Sequence, residues 1–167
     1  MKYIVLCFLS VILFTACKKD SASGVDIYLL ESFTLNDNNA TNPVTLAISN
    51  AVLAAGPLVA DEDISYYVRS TATFKLKKDI QPLIKNYDGS KAFAVTVNKQ
   101  PVYFGRFHPS YLSSLTLGLA TIDPLFHNNN ELPVFFIKMD GNEDLQLLDK
   151  RSDDRLISAL KASGKLR

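Results

Sequence analysis

The chain has 167 residues, of which 47% are hydrophobic, and it carries 18 Lys and Arg against 17 Asp and Glu. This apolar content is enough to build one core. The near-zero charge gives no electrostatic reason to expect nucleic acid as a partner. The only cysteines are Cys7 and Cys17, so we expect no disulfide and no free thiol in the rest of the chain.

The first 16 residues have the layout of a secretory signal. Lys2 makes the start positive, and the uncharged run Ile4–Phe14 is too short to span a bilayer as a helix. The sequence Phe14-Thr15-Ala16-Cys17 resembles the lipobox of bacterial lipoproteins. This resemblance implies cleavage before Cys17 and attachment of two or three acyl chains to that residue, which at about 0.8 kcal/mol per buried methylene give a stable anchor.

We therefore divide the chain into three parts. Residues 1–16 are assigned to the signal peptide, residues 17–24 to the lipidated cysteine and a flexible tether, and residues 25–167 to a single domain. Removal of Lys2 with the signal leaves 17 Lys and Arg against 17 Asp and Glu. Lys18 stands where an aspartate favours inner-membrane retention in enteric bacteria, so we expect the outer membrane, on its periplasmic or surface side.

The first half of the domain is rich in strand-forming residues. Val25–Phe33 is predicted to be a strand, and Asn36–Asn42 a polar loop. Val44–Ala55 has helix-like ends but alternates like a strand, and we assign it as extended. Asp61–Ile64 is typical of a capped helical turn, with acids where the helix dipole favours them. Thr71–Lys77 alternates as a strand.

The clearest element of the second half is a hairpin. Alternate residues of Phe93–Val97 share one face, and after the polar Asn98–Gln100 we expect Val102, Phe104 and Arg106 to share a face of the next strand. A short helix precedes this hairpin and is predicted from one apolar face. That face consists of Ile80, Leu83, Ile84 and Tyr87.

The remaining elements are two strands, a turn and a helix. Leu115–Ile122 and Pro133–Lys138 are strand candidates separated by the polar loop His127–Glu131, and a turn follows at Asp140–Asn142. The final helix is predicted to have Ser152 as its N-cap, Asp153 and Asp154 in its first turn, an apolar face of Leu156, Ile157 and Leu160, and Gly164 at its end. We conclude that the chain forms a single α+β domain, a mostly antiparallel sheet packed with two or three helices, with a ferredoxin-like arrangement as one option.

Three stretches resemble the head of the first periplasmic domain of the SecD/SecF protein-export subunits. They are Pro57–Val59 with Asp63-Ile64, the hairpin Phe93–Arg106, and the helix end Leu160–Leu166. Residues 123–150 have no counterpart in that family. The resemblance implies a ferredoxin-like α+β fold and a non-catalytic role that touches polypeptides, and it brings no catalytic residues.

Candidate catalytic and metal residues are few. The two histidines, His108 and His127, lack the spacing of a metal site. His108 with Ser113 or Ser114 and with Asp123 could form a hydrolase triad, but no Gly-x-Ser-x-Gly motif marks either serine, and we favour a structural role.

The acidic stretch Asp61–Asp63 could bind calcium or pair as acid and base, but it continues into Ile64 without the alternating oxygen ligands of a calcium loop, and we interpret it as a helix cap. The stretch Asp140–Asp144 is the better loop for a cation, and we interpret it as a plain turn. We expect no metal and no cofactor.

Six aromatic residues surround the hairpin and the strand before it, and strand alternation turns some of them away from the core. Those that point outward would form a binding surface for polypeptide or glycan, although core packing is expected for most of the set. The set consists of Tyr66, Tyr67, Tyr103, Phe104, Phe107 and Tyr111.

The leading functional hypothesis is a non-enzymatic, lipid-anchored binding or accessory domain that contacts polypeptides at a membrane surface. It rests on the predicted anchor, the lack of a catalytic motif and the export-subunit resemblance. Two alternatives stay open: a small periplasmic hydrolase that uses His108 with Ser113 or Ser114, and a structural subunit of an envelope complex.

Overall fold

The computed structural model describes residues 24–39, 41, 43–126 and 130–167. The α+β class, the single domain and the mostly antiparallel pairing are confirmed. In chain order the elements are β1 (Val25–Asn38), β2 (Thr45–Leu53), a 3-10 turn (Asp61–Asp63), β3 (Ile64–Val68), β4 (Thr73–Leu76), α1 (Gln81–Ile84), β5 (Ala92–Val97), β6 (Gln100–Phe107), β7 (Ala120–Ile122), β8 (Glu131–Pro133), α2 (Glu143–Leu147) and α3 (Asp154–Ala162).

The strands form two sheets. The large sheet has five strands in the order β2-β1-β5-β6-β7, and the small sheet has three in the order β3-β4-β8. All pairs are antiparallel except β6 with β7. Four strands precede the first α-helix, so the elements do not follow the β-α-β-β-α-β order that a ferredoxin-like fold would have.

One hydrophobic core joins the two sheets with α1 and α3. The small sheet contributes residues such as Tyr67 and Phe74, the large sheet contributes Phe93 and Phe107, and α3 contributes Leu156, all without exposed area. The Phe93 and Phe107 rings meet at 5.6 Å between centroids in an edge geometry that aromatic pairs prefer. The inner face of each sheet is thereby committed to the core.

The predicted hairpin is confirmed as β5 and β6, with one correction. Asn98 and Lys99 have φ of 52° and 63°, as a two-residue turn with two positive φ angles requires. A shift in register between Val95 and Thr96 lets Val102 join the main core. Phe104 instead packs on the opposite side of the sheet, so the prediction that Val102, Phe104 and Arg106 share one face is wrong.

Several predicted bounds also change. The extended assignment of Val44–Ala55 is confirmed by β2. Residues 36–38, predicted to belong to the loop Asn36–Asn42, pair with β2 and are therefore part of a strand. The helix around Ile84 is a single turn that leaves Leu83 61% exposed. The strands predicted over Leu115–Ile122 and Pro133–Lys138 shrink to β7 and the end of β8. Beyond β8, Phe135 pairs with Thr121 as an isolated bridge.

The final helix begins one residue later than predicted. The N-cap is Asp153, whose carboxylate accepts a hydrogen bond from the Arg155 amide at 3.0 Å, and not Ser152. Gly164, with φ of 70°, ends this helix as predicted. The sequence did not reveal α2, which Asn142 caps by accepting a bond from the Leu145 amide at 2.8 Å.

Asp61 links both ends of the described domain instead of capping a helix. The 3-10 turn has no side-chain cap. One carboxylate oxygen of Asp61 accepts a bond from the Val25 amide at 3.0 Å, and the other lies 2.6 Å from Nζ of Lys165. Residues 165–167 then cover the outer edge of β3, since the Tyr67 amide donates to the Lys165 carbonyl at 2.7 Å and the Arg167 amide donates to the Tyr67 carbonyl at 2.9 Å.

A second polar link holds the segment before α3 against the small sheet. Arg151 donates two bonds of 2.8 Å to the carboxylate of Asp149 and a third of 2.8 Å to the Val134 carbonyl. The Tyr67 hydroxyl donates to the Arg151 carbonyl at 2.8 Å. The side chains of Asp149 and Arg151 are only 13% and 15% exposed, so this ion pair is shielded from solvent.

The Asp149–Arg151 pair predicts acid sensitivity. Burial alone would raise the pKa of Asp149, but the hydrogen bonds and charge of Arg151 outweigh burial and hold this pKa below its usual value. The stabilisation is therefore present above the unfolded-state pKa of about 3.9 and is lost as the pH falls through the lower folded-state pKa. We expect Asp149→Asn to reduce the free energy of unfolding at pH 7 by about 2 to 4 kcal/mol and to flatten its fall in acid, as measured by urea denaturation.

The matched control is Asp88→Asn. The pKa of Asp88 is also lowered, by its hydrogen bond to the Ser90 hydroxyl, but this carboxylate is solvent-exposed. The control should leave the urea midpoint close to that of the wild type. An equal loss in both variants would contradict the assignment of acid sensitivity to Asp149.

Gly105 is required where β6 passes the core. A Cβ at this position would lie 2.3 Å from Phe93 and 2.5 Å from the Ala120 carbonyl oxygen. Gly105→Ala should therefore lower the free energy of unfolding by about 3 kcal/mol or more. Gly56→Ala meets nothing within 4 Å and should be near neutral. Similar melting temperatures for the two variants would contradict this packing.

Candidate functional site

The outer face of the small sheet presents two rows of side chains across its strands. The strand register places Val68, Thr73 and Pro133 in one row, and Tyr66, Lys75 and Glu131 in the next. Because side chains alternate along a strand, the intervening residues point the other way. Those residues, Tyr67, Phe74 and Leu132, have no exposed area.

A groove of about 400 Å³ lies over the first row. Its wall is formed by the Phe126 and Phe135 rings, which meet edge to face at 6.0 Å between centroids. These rings are 60% and 43% exposed, an unusual position for two adjacent phenylalanines. The lining residues are Val68, Thr71, Thr73, Phe126, Glu131, Pro133 and Phe135.

Backbone contacts fix both phenylalanines. Phe135 exchanges two hydrogen bonds of 2.8 Å with Thr121 of β7, so its segment leaves the small sheet and pairs with the large one. Phe126 follows a turn in which the carboxylate of the buried Asp123 accepts a bond from the Leu125 amide at 2.9 Å. The Phe126 amide donates to the Asp123 carbonyl at 3.2 Å. The groove wall is therefore built on hydrogen-bonded backbone.

The charges around the groove are unevenly placed. Glu131, on the β8 side, pairs with Lys75 at 3.5 Å. On the β3 side, Arg69 is exposed in the turn between Val68 and Thr71, and the Arg167 guanidinium lies over the Tyr66 ring at 5.9 Å. The charged side chains placed on this face thus include two cations, Lys75 and Arg167, and the carboxylate of Glu131.

The six aromatic residues do not lie on one surface. Tyr67, Tyr103 and Phe107 are buried in the main core, the position expected for most of the set, and these three cannot contribute to a binding surface. Phe104 is half-buried on the far side of the large sheet, and Tyr111 is 69% exposed in the loop after β6. Of the six, only Tyr66 lies on the outer face of the small sheet.

The hydrolase group is also not assembled among the described residues. Nδ1 of His108 lies 3.4 Å from the Thr116 hydroxyl, and neither Ser113 nor Ser114, both exposed, has a hydrogen bond to this histidine. Asp123 is engaged in the turn before Phe126. His127 lies outside the described residues, as does Cys17. The described ranges contain no group of three or more His, Cys, Asp or Glu placed to hold a metal ion.

Two buried tyrosines differ in how their hydroxyls are satisfied. The Tyr67 hydroxyl donates to the Arg151 carbonyl at 2.8 Å, whereas the Tyr103 hydroxyl is buried without a hydrogen-bond partner in the described part of the chain. Burial raises the pKa of both tyrosines well above the usual value. Both hydroxyls therefore remain protonated near pH 7.

The two hydroxyls should respond differently to removal. Tyr67→Phe breaks a buried hydrogen bond and leaves a carbonyl unpaired, so we expect it to cost about 1 to 2 kcal/mol of unfolding free energy. Tyr103→Phe removes an unpartnered buried group and should be neutral or stabilising. Thermal unfolding of both variants tests this contrast, and a larger loss for Tyr103→Phe would contradict it.

Comparison with known proteins gave no match: no family model matches the chain, and no curated protein or solved structure matches it. Among the described residues, no helix is long and apolar enough to cross a membrane. We therefore argue function from the geometry and chemistry of the described residues.

Proposed function

We propose that the chain is a non-enzymatic domain of the bacterial cell envelope, held by a lipid anchor at the outer membrane. It binds polypeptide segments in the groove of the small sheet. The observation that carries this proposal is the exposed Phe126–Phe135 pair beside the row Val68, Thr73 and Pro133. Apolar grooves with a few polar groups at their rim are typical of binding sites. The lipobox-like sequence before Cys17 supplies the anchor.

The hydrogen bonding of the polar groups in the groove favours a binding role over a catalytic one. The Thr71 hydroxyl donates to the Thr73 hydroxyl at 2.9 Å, and the Thr73 hydroxyl lies 3.3 Å from the Thr71 carbonyl. Glu131 is paired with Lys75. Nucleophilic catalysis needs a hydroxyl or thiol held by a base that is itself oriented, and these hydroxyls bond to each other instead.

The position of the groove suits an anchored domain. Gly24 exchanges hydrogen bonds with Asn98 at the hairpin turn, and Asp61 binds the Val25 amide. Along β3, Val68 lies four residues beyond Ile64, a rise of about 13 Å away from this end. Gly24 is seven residues after Cys17, a reach of at most about 24 Å. The groove therefore lies away from the end of the domain that carries the tether.

The anchor is tested by changing each cysteine in the full chain. Expressed in a bacterial host fed a labelled fatty acid, the wild type and Cys7→Ser should incorporate label and partition with membranes, because only the Cys17 thiol can receive the lipid. Cys17→Ser should incorporate none, and any processed product should be released as soluble protein. Labelling of Cys17→Ser, or release of the wild type, would contradict the anchored assignment.

Binding is tested separately with immobilised random peptides and the detergent-solubilised full chain. We expect the wild type to retain peptides selectively. Phe126→Ser should lose this retention, and Leu147→Ser should keep it. Leu147 is the matched control because it is a similarly exposed apolar residue on α2. Equal retention by all three proteins, or by none, would remove the support for polypeptide binding.

A further inference from the structure

We propose that the groove selects an extended polypeptide segment in which a large apolar side chain lies close to a basic one. The apolar side chain packs against the Phe126–Phe135 pair, and the basic side chain binds the carboxylate of Glu131. This inference rests on the proposed function and specifies its partner.

The apolar end of the groove is the pair of phenylalanine rings. Its floor is the row Val68, Thr73 and Pro133, and the two rings form its wall. A volume of about 400 Å³ lies at the low end for small-ligand pockets, which suits one or two side chains and not a whole folded surface. Aromatic or large aliphatic side chains gain most from such a wall.

Among the described residues that line the groove, the polar side chains offer hydrogen-bond acceptors and no free donor. The Thr71 hydroxyl donates to the Thr73 hydroxyl, which in turn donates to the Thr71 carbonyl at 3.3 Å, so both protons are used within the groove. Glu131, the one charged residue of this described lining, can only accept when it is ionised. The ligand therefore has to bring the donors, as an ammonium or a guanidinium group does.

Glu131 remains available to a ligand although Lys75 lies beside it. Nζ of Lys75 is 3.5 Å from one oxygen of Glu131, and the two side chains are 23% and 47% exposed. Such a partly exposed pair is weak, and a carboxylate has several acceptor sites, so a second cation can share it. Arg167 lies over Tyr66, which is at the other end of this cross-strand row, two strand separations or about 10 Å away.

The spacing between the two ends of the groove fits an extended chain. Phe135 and Glu131 are four residues apart on β8 and its extended continuation, a separation of about 13 Å. In an extended peptide, side chains on the same face recur about every 6.6 Å. A residue two positions from the apolar one is therefore about halfway to Glu131, and the long, flexible side chain of a lysine covers the remaining distance.

The test uses the full chain in detergent and three fluorescent seven-residue peptides. Each contains one phenylalanine, flanked at two residues' distance by lysines, serines or aspartates. Fluorescence anisotropy at low salt should give the tightest binding for the basic peptide and the weakest for the acidic one, because only the basic peptide brings charged donors to Glu131.

Two substitutions should change this preference in opposite directions. Glu131→Gln keeps the shape of the side chain and removes its charge, so it should weaken the basic peptide about threefold to fivefold and leave the serine peptide unchanged. Lys75→Met removes the cation that competes for the carboxylate and should strengthen the basic peptide. Glu62→Gln, the same change at an exposed glutamate in the 3-10 turn, is the matched control and should leave all three affinities unchanged.

Phe135→Ser should weaken all three peptides, and an unchanged unfolding midpoint shows that this variant is folded. If all peptides bind equally, or if Glu131→Gln has no effect, the basic preference is overturned while polypeptide binding stands. If no peptide binds the wild type, or if a glycan or an anionic vesicle binds at Phe126 and Phe135 instead, the proposed function and this inference both fall.

Discussion

A single buried core that both sheets share is the constraint on which the rest of the molecule depends. The inner faces meet through residues such as Phe74 and Phe93, and burial of large aromatic side chains there contributes the main favourable free energy of folding. Because one face of the small sheet is committed to this core, alternation along its strands leaves Val68, Thr73 and Pro133 on the other face. The groove is therefore a consequence of how the core is filled.

Two polar links hold this arrangement at its margins. Asp61 joins the start of β1 to Lys165 near the end of the described chain. Arg151 joins the α2–α3 segment to the small sheet through its bonds with the Tyr67 hydroxyl and the Val134 carbonyl. Neither link lines the groove. They fix the small sheet against the large one, so that the outer face is presented on a rigid support, as a site on strands requires.

Local signals in the sequence were sufficient for some elements. The polar residues at Asn98 and Lys99 between two alternating apolar runs predict the hairpin, and Gly164 after an apolar helical face predicts the end of α3. Other elements depend on strand pairing between residues that are distant in the sequence. Residues 36–38 have loop composition, but their pairing with β2 makes them a strand. Tyr67 and Tyr103 lie in the core because register shifts, which composition does not reveal, set the facing of their strands.

The groove could not be predicted from the sequence because it also depends on non-local pairing. Phe126 lies in a loop and Phe135 lies two residues beyond β8. The pairing of Phe135 with Thr121 brings the two rings together. The sequence did contain one weak indication of an exposed phenylalanine. Phe135 and Phe136 are adjacent in an extended segment, so one of them has to point outward. The structure buries Phe136 and exposes Phe135.

The central claim is that the shared core leaves the outer face of the small sheet as the binding surface. The most direct test is amide hydrogen exchange on the full chain, with and without a saturating concentration of a peptide that the wild type retains. We predict that Ile27 and Val95, which pair at the centre of the large sheet, exchange slowly in both states. Added protection should be confined to the groove, at Val68, Thr73 and Phe135. Rapid exchange of Ile27 and Val95, or added protection along β2 instead of the small sheet, would contradict this account.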